Sequence, residues 1–193
     1  MSAEDDRKKL PEYTRNLPVS TSAEAHRCGP GCFIDEDPIR KAEIKVQIER
    51  AFADVPYPGD DKVPQRDAWA TEYDVDFRGR HWSELTSQEL WLQDLPMLEV
   101  EALQYYLPAY LMAALDDLHQ SLTPFVLYHL CPEPEKPDQD RFEAYRRQRF
   151  SIFTSAQRAS IRAFLEYMRD HTGDNLDTGG KMMIQAMEMY WNP

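Results

Sequence analysis

LPMLEVEALQYYLPAYLMAALDDL, residues 95–118, is the stretch whose reading decides the fold. Leu98, Ala102, Leu103 and Tyr106, then Leu107, Tyr110, Leu111, Ala114, Leu115 and Leu118, recur at steps of three and four. That is the period of an α-helix, which brings a new residue onto the same face every 3.6 positions. The segment is apolar almost all round, so it belongs in the middle of a core rather than on a surface. Pro108 lies within it. A proline has no N–H to give the helix and disfavours helical geometry in the residue before it. Two helices, or one sharply kinked helix, are expected.

Further helices flank this one. Asp37 is a suitable N-cap and Pro38 suits the first helical position. From there PIRKAEIKVQIERAFADV (38–55) places Ile44, Ile48, Ala51, Phe52 and Val55 on one stripe and Lys41, Lys45, Glu49 and Arg50 outside. PYPGDDKVP (56–64) ends it, because Pro56, Pro58 and Gly59 interrupt any helix. Residues 66–82 read as a short helix or a strand pair. Thr86 and Glu89 form a capping box for a helix that turns Leu90, Trp91 and Leu95 inward. Thr123 and Pro124 open a short buried helix, FVLYHL, followed by a proline-rich acidic loop at 131–140. Thr154 and Gln157 form a second capping box, opening a helix whose stripe is Ile161, Phe164, Leu165 and Met168 and which Gly173 ends. KMMIQAMEMYW (181–191) is a terminal helix.

Only 7 of the 193 residues are glycine, and Leu, Ala, Glu, Gln, Arg and Met abound, which agrees with a helical chain. The fold expected is mainly α: a single-domain bundle of about six to eight helices. It occupies residues 37–193 and is preceded by an irregular N-terminal arm, 1–36, with too few large apolar residues to order itself.

The net charge is −12, from 34 acidic against 22 basic side chains. Phosphate backbones repel such a surface, so nucleic acid is not an expected partner. RFEAYRRQRF (141–150), with Arg141, Arg146, Arg147 and Arg149, is the one basic patch that would qualify this. The longest apolar run, YYLPAYLMAAL, is too short to span a bilayer, so no membrane partner is expected. The polar opening MSAEDDRKKLPEY lacks the apolar core of a secretory signal, and three cysteines cannot all pair. Both point to a reducing, cytoplasmic setting.

Three segments carry a resemblance: IERAFADVPYPGDD (48–61), LPMLEVEALQYYLPAYLMAAL (95–115) and RFSIFTSAQRASIRAFLEYM (149–168). With YYLPAYL as its most specific part, the chain resembles an uncharacterised family of small bacterial proteins, a domain of unknown function. The likeness spans roughly residues 40–170, leaving out the arm and the Met-rich end. It implies a bacterial, mostly helical, cytoplasmic protein and carries no catalytic residues with it.

Ligand-type residues crowd together once, in AHRCGPGCFIDED (25–37). His26, Cys28 and Cys32 around a Gly-Pro-Gly turn offer three zinc ligands, with Cys131, His129, His81 or a carboxylate near Asp35 as the distant fourth. The same residues also read as a redox pair or as a plain glycine turn. The redox reading suffers from the extra Gly31 and from the lack of a helix starting at Cys28. The acidic residues there suit the N-terminus of the helix that follows. Glu72, Asp74 and Asp76 could share a face of an extended chain and grip a divalent cation, or form a solvated acidic strand or turn. No hydrolase elbow, phosphate loop or dinucleotide fingerprint occurs.

The terminal helix is the candidate docking surface. Met182, Met183 and Met187 with Tyr190 and Trp191 cover more than one face, and methionine adapts to partner surfaces. The leading functional expectation is a non-enzymatic protein-binding module that works without a cofactor. Its concrete form is an immunity or antitoxin-type protein whose acidic surface meets a basic toxin domain. The alternative is a zinc enzyme or regulator using His26, Cys28, Cys32 and Cys131. A small-molecule sensor with an aromatic pocket between the core helices is a third reading.

Overall fold

A computed structural model describes residues 37–63, 76–92, 95–116, 122–131, 139–171 and 177–193. Among them are seven α-helices, three short 3-10 turns and no strand. The helices are α1 (Pro38–Phe52), α2 (Ser87–Leu92), α3 (Val100–Asp116), α4 (Leu122–Leu130), α5 (Gln139–Phe150), α6 (Ser155–His171) and α7 (Asp177–Met189). The chain is mainly α, as its periodicity predicts.

The helix starts follow the local chemistry. Asp37 Oδ1 accepts from the backbone N–H of Arg40 at 2.8 Å, and Pro38 takes the first helical turn. At α2 the N–H of Thr86 donates to Glu89 Oε2 (2.8 Å), while the N–H of Glu89 donates to Thr86 Oγ1 (3.3 Å). At α6 Thr154 and Gln157 make the same exchange at 3.0 and 3.3 Å. Both capping boxes satisfy amides that the first helical turn leaves without partners.

α3 is the hub, touched by α1, α2, α4, α6 and the turn at Trp82–Glu84. It runs unbroken through Pro108, so the chain does not divide into two helices there. An interior proline costs about 3 kcal/mol. Burial offsets that: Tyr106, Leu107, Tyr110, Leu111 and Leu115 are fully enclosed, and each such side chain is worth about 1.5–3 kcal/mol. α1 packs against α6, where Ile44, Ile48 and Phe52 on one side face a stripe that includes Ile161, Phe164, Leu165 and Met168. Gln157 is shared between local and tertiary structure: besides capping α6, it accepts from Gln104 Nε2 of α3 at 2.9 Å.

Of the stretch 66–82 that read as helix or strand pair, residues 66–75 lie outside the described residues; residues 76–82 form a turn that leads into the 3-10 turn Trp82–Glu84. Gly79 sits there at φ +71°, a left-handed conformation that favours glycine. Its N–H donates to the hydroxyl of Tyr57 (2.7 Å), whose ring packs edge-on to Tyr105. Tyr106 Oη donates to the carbonyl of Phe77 at 2.5 Å. Three tyrosines thus pin this turn to α3.

Three local readings are corrected. Trp91 is half exposed rather than inward, because α2 is only six residues long and buries Leu90 alone. α4 begins at Leu122, so Thr123 lies inside it and its hydroxyl reaches the carbonyl of Ala114 (3.4 Å). Helix α5 starts at Gln139, inside the stretch that reads as loop. No helix among the described residues is long and apolar enough to cross a membrane.

Candidate functional site

The sequence puts the ligand-type residues His26, Cys28 and Cys32 in a segment that lies outside the described residues, as do Asp35, Glu72 and Asp74. Cys131, named as their fourth partner, is described. It closes α4, is 1% exposed, and burial pushes its thiol up to about 12. Asp76 is held by Arg78 in a bidentate pair. Among the described residues no three His, Cys, Asp or Glu side chains come together.

The proposed docking face on the terminal helix is corrected. Met183, Met187, Tyr190 and Trp191 are core residues, each at most 3% exposed, and Met182 is half-buried. Trp191 donates its indole N–H to the carbonyl of Leu130 (3.0 Å) and packs on Phe150 and Phe153. The methionines fill the space between α7 and α6, where their flexible chains suit an irregular gap.

Exposed apolar surface gathers elsewhere. α1 carries a second apolar row, Ile39, Ala42 and Val46, displaced around the helix from the buried Ile44, Ile48 and Phe52. Ile39 is 73% exposed and Val46 42%. Across from them α6 offers only Ala156 and Ala159, too small to fill the space. An open groove of about 850 Å³ results, with Glu43, Gln47 and Arg50 as its polar lining. Its length follows α1 from Pro38 to Ala51, about 20 Å at 1.5 Å per residue. The spacing 39, 42, 46 is visible in the sequence, though charged residues interrupt it.

A second, smaller cleft of about 190 Å³ lies between Leu95–Pro96, the end of α4 and α5. It takes in Arg146 and Arg149 of the basic run, whose described arginines, Arg146, Arg147 and Arg149, point to different partners. Arg147 pairs with Glu143 one turn back and lies over the ring of Tyr190. Arg146 lines the cleft beside His129 and Tyr128. Arg149 is 8% exposed; it donates Nη2 to the carbonyl of Leu95 (2.9 Å) and Nη1 to the hydroxyl of Tyr145 (3.1 Å). Burial lowers its basicity, and the Tyr145 hydroxyl works against that.

A family model described as a family of unknown function (DUF6714) matches residues 40–193. The match continues through α7, beyond residue 170 where the likeness read from the sequence stopped. No curated protein and no solved structure matches the chain.

Proposed function

We propose that this chain, which belongs to that family of unknown function, is a protein-binding module whose docking surface is the α1–α6 groove. The observation that carries this is the exposed row Ile39–Ala42–Val46 facing Ala156 and Ala159 across a volume wide enough for side chains of another protein. Exposed apolar patches with polar rims mark interaction sites more often than chance surface. The occupant is an amphipathic helix of three to four turns from a basic protein. A groove about 20 Å long accepts the anchors of such a helix at i, i+3, i+4 and i+7. The charge of −12 attracts a basic partner and speeds encounter, while the apolar row holds it. The concrete form of the module is an immunity or antitoxin-type protein of a bacterium, made to occupy a basic toxin.

The test is co-expression with the products of the genes that flank its own, any basic one first. A stable one-to-one complex and protection of the cells are expected, and both are lost in Ile39→Glu and Val46→Glu. These positions are exposed, so the fold persists and stability moves by no more than about 0.5 kcal/mol. A complex that forms equally well with both variants defeats the groove as the docking surface. Failure of the neighbouring product to bind or to be neutralised defeats the immunity role.

A further inference from the structure

The cleft at Arg149 departs from the electrostatics of the rest of the molecule. The chain carries 34 acidic side chains, yet none of those among the described residues lines this cleft. Its polar lining is Arg146, Arg149, His129, Tyr128 and Tyr145. A guanidinium stays charged at any accessible pH and has five N–H groups. Arg149 spends two of them on the neutral oxygens of Leu95 and Tyr145, with Tyr145's ring 5.8 Å from its Cζ. No carboxylate pairs with it among the described residues. Buried charges are normally paired, because desolvating one without a counter-charge costs several kcal/mol. Arg149 thus lines the cleft with three N–H groups for which the described residues supply no acceptor.

We propose that this cleft binds a small carboxylate, with Arg149 as the counter-ion and Arg146 as the second cation. The carboxylate oxygens take the N–H groups of Arg149 that the described residues leave unpaired. Three features select this class of anion. A volume near 190 Å³ holds roughly six waters' worth of space, enough for a carboxylate and a short carbon body. Leu95, Pro96, Leu103 and Phe150 form apolar walls that suit such a body. A phosphate would bring a second negative charge into a protein of charge −12 and has no carbon body for the apolar walls to hold. This site is independent of the α1–α6 groove and stands or falls separately from it.

The probes are sodium butyrate and sodium benzoate, compared with sodium phosphate and sodium chloride at equal ionic strength. The readouts are thermal unfolding of the full chain and the arginine Nε–Hε resonances in a ¹⁵N-labelled sample. Butyrate or benzoate is expected to raise the melting temperature saturably by about 2 °C or more. One buried arginine resonance should shift along the same binding curve. Arg149→Met, similar in length and uncharged, should fold and lose both effects. Arg149→Lys keeps the charge without the planar fork and should weaken binding by about tenfold or more. Arg146→Gln, at a half-exposed position, should weaken it without affecting the fold. Absence of any carboxylate effect overturns the assignment. So does an equal or larger effect of phosphate, or a shift that survives Arg149→Met. Binding that appears only in a Glu133→Gln, Glu135→Gln variant also overturns it, since the anion would then be the chain's own.

Discussion

Arg158 donates through Nη1 to the backbone carbonyl of Tyr190, 2.6 Å away and 32 residues later in the chain. The same guanidinium reaches the carbonyls of Phe150 (2.9 Å, through Nη2) and Phe153 (3.0 Å, through Nε). One side chain on α6 thereby satisfies the end of α5, the turn after it and the end of α7. Charge-assisted bonds of this kind contribute more than neutral ones, and carbonyls left unpaired when they vanish add a desolvation cost. Arg158→Met is expected to lower unfolding free energy by about 2–4 kcal/mol. Arg158→Lys should recover only part of that, because a single ammonium cannot reproduce the three-way fork. Equilibrium urea unfolding of the three proteins checks both statements, and a loss below 1 kcal/mol in the methionine variant would contradict them.

Glu89 makes stability depend on acid pH. Its carboxylate accepts from Arg80 (2.6 Å to Nη1) and from the N–H of Thr86, and these bonds hold its pKa down to about 2, from 4.5. A group with a depressed folded-state pKa stabilises fully above its unfolded value and ceases to as pH falls through the folded one. Glu89→Gln should therefore be less stable than the parent by about 1 kcal/mol at neutral pH. That gap should begin to close below pH 4.5 and vanish near pH 2. Thermal unfolding of both proteins across this range measures it, and a gap that stays constant with pH would show that the ion pair contributes nothing.

The thiol of Cys131 is enclosed and held protonated. Only thiolates alkylate readily. In a Cys28→Ser, Cys32→Ser background the native protein should resist iodoacetamide at mildly alkaline pH. The same protein should be fully modified in guanidinium chloride. Mass spectrometry gives the count directly. Rapid modification of the folded protein would mean that the end of α4 opens far more readily than its burial implies.

The helical class, α1, α3, α6 and both capping boxes were legible because each rests on local rules: period, cap and proline position. Their side chains bear the pattern that their surroundings require, as the fully buried Ile161, Phe164, Leu165 and Met168 show. α5 was missed for a physical reason. It is a helix with no continuous apolar stripe, ending in the buried pair Arg149 and Phe150. Pro108 left two helices or one kinked helix open; a single helix persists because the proline's cost is local while the compensation comes from the helices packed round it. The terminal methionines read as a docking face because a pattern of apolar residues does not say whether its partner lies in the same chain. The α1–α6 groove failed to stand out for a related reason. Ile39 and Val46 are ordinary helix residues until Ala156 and Ala159, over a hundred positions later, leave the space across from them empty. The cleft at Arg149 required three separate segments to meet, and no spacing rule connects Leu95 with Arg149.

The α1–α6 packing has a consequence for the order of folding. Arg40 of α1 pairs with Asp170 of α6 across 130 positions of chain. α3 and α4, by contrast, are neighbours in sequence and in space. Contacts of long sequence separation are formed late, since the chain between them must first give up its freedom. The local α3–α4 pair is therefore expected to assemble first and α1 to dock afterwards. The groove exists only once that docking is complete, so whatever binds there recognises the finished molecule and passes over partly folded chains.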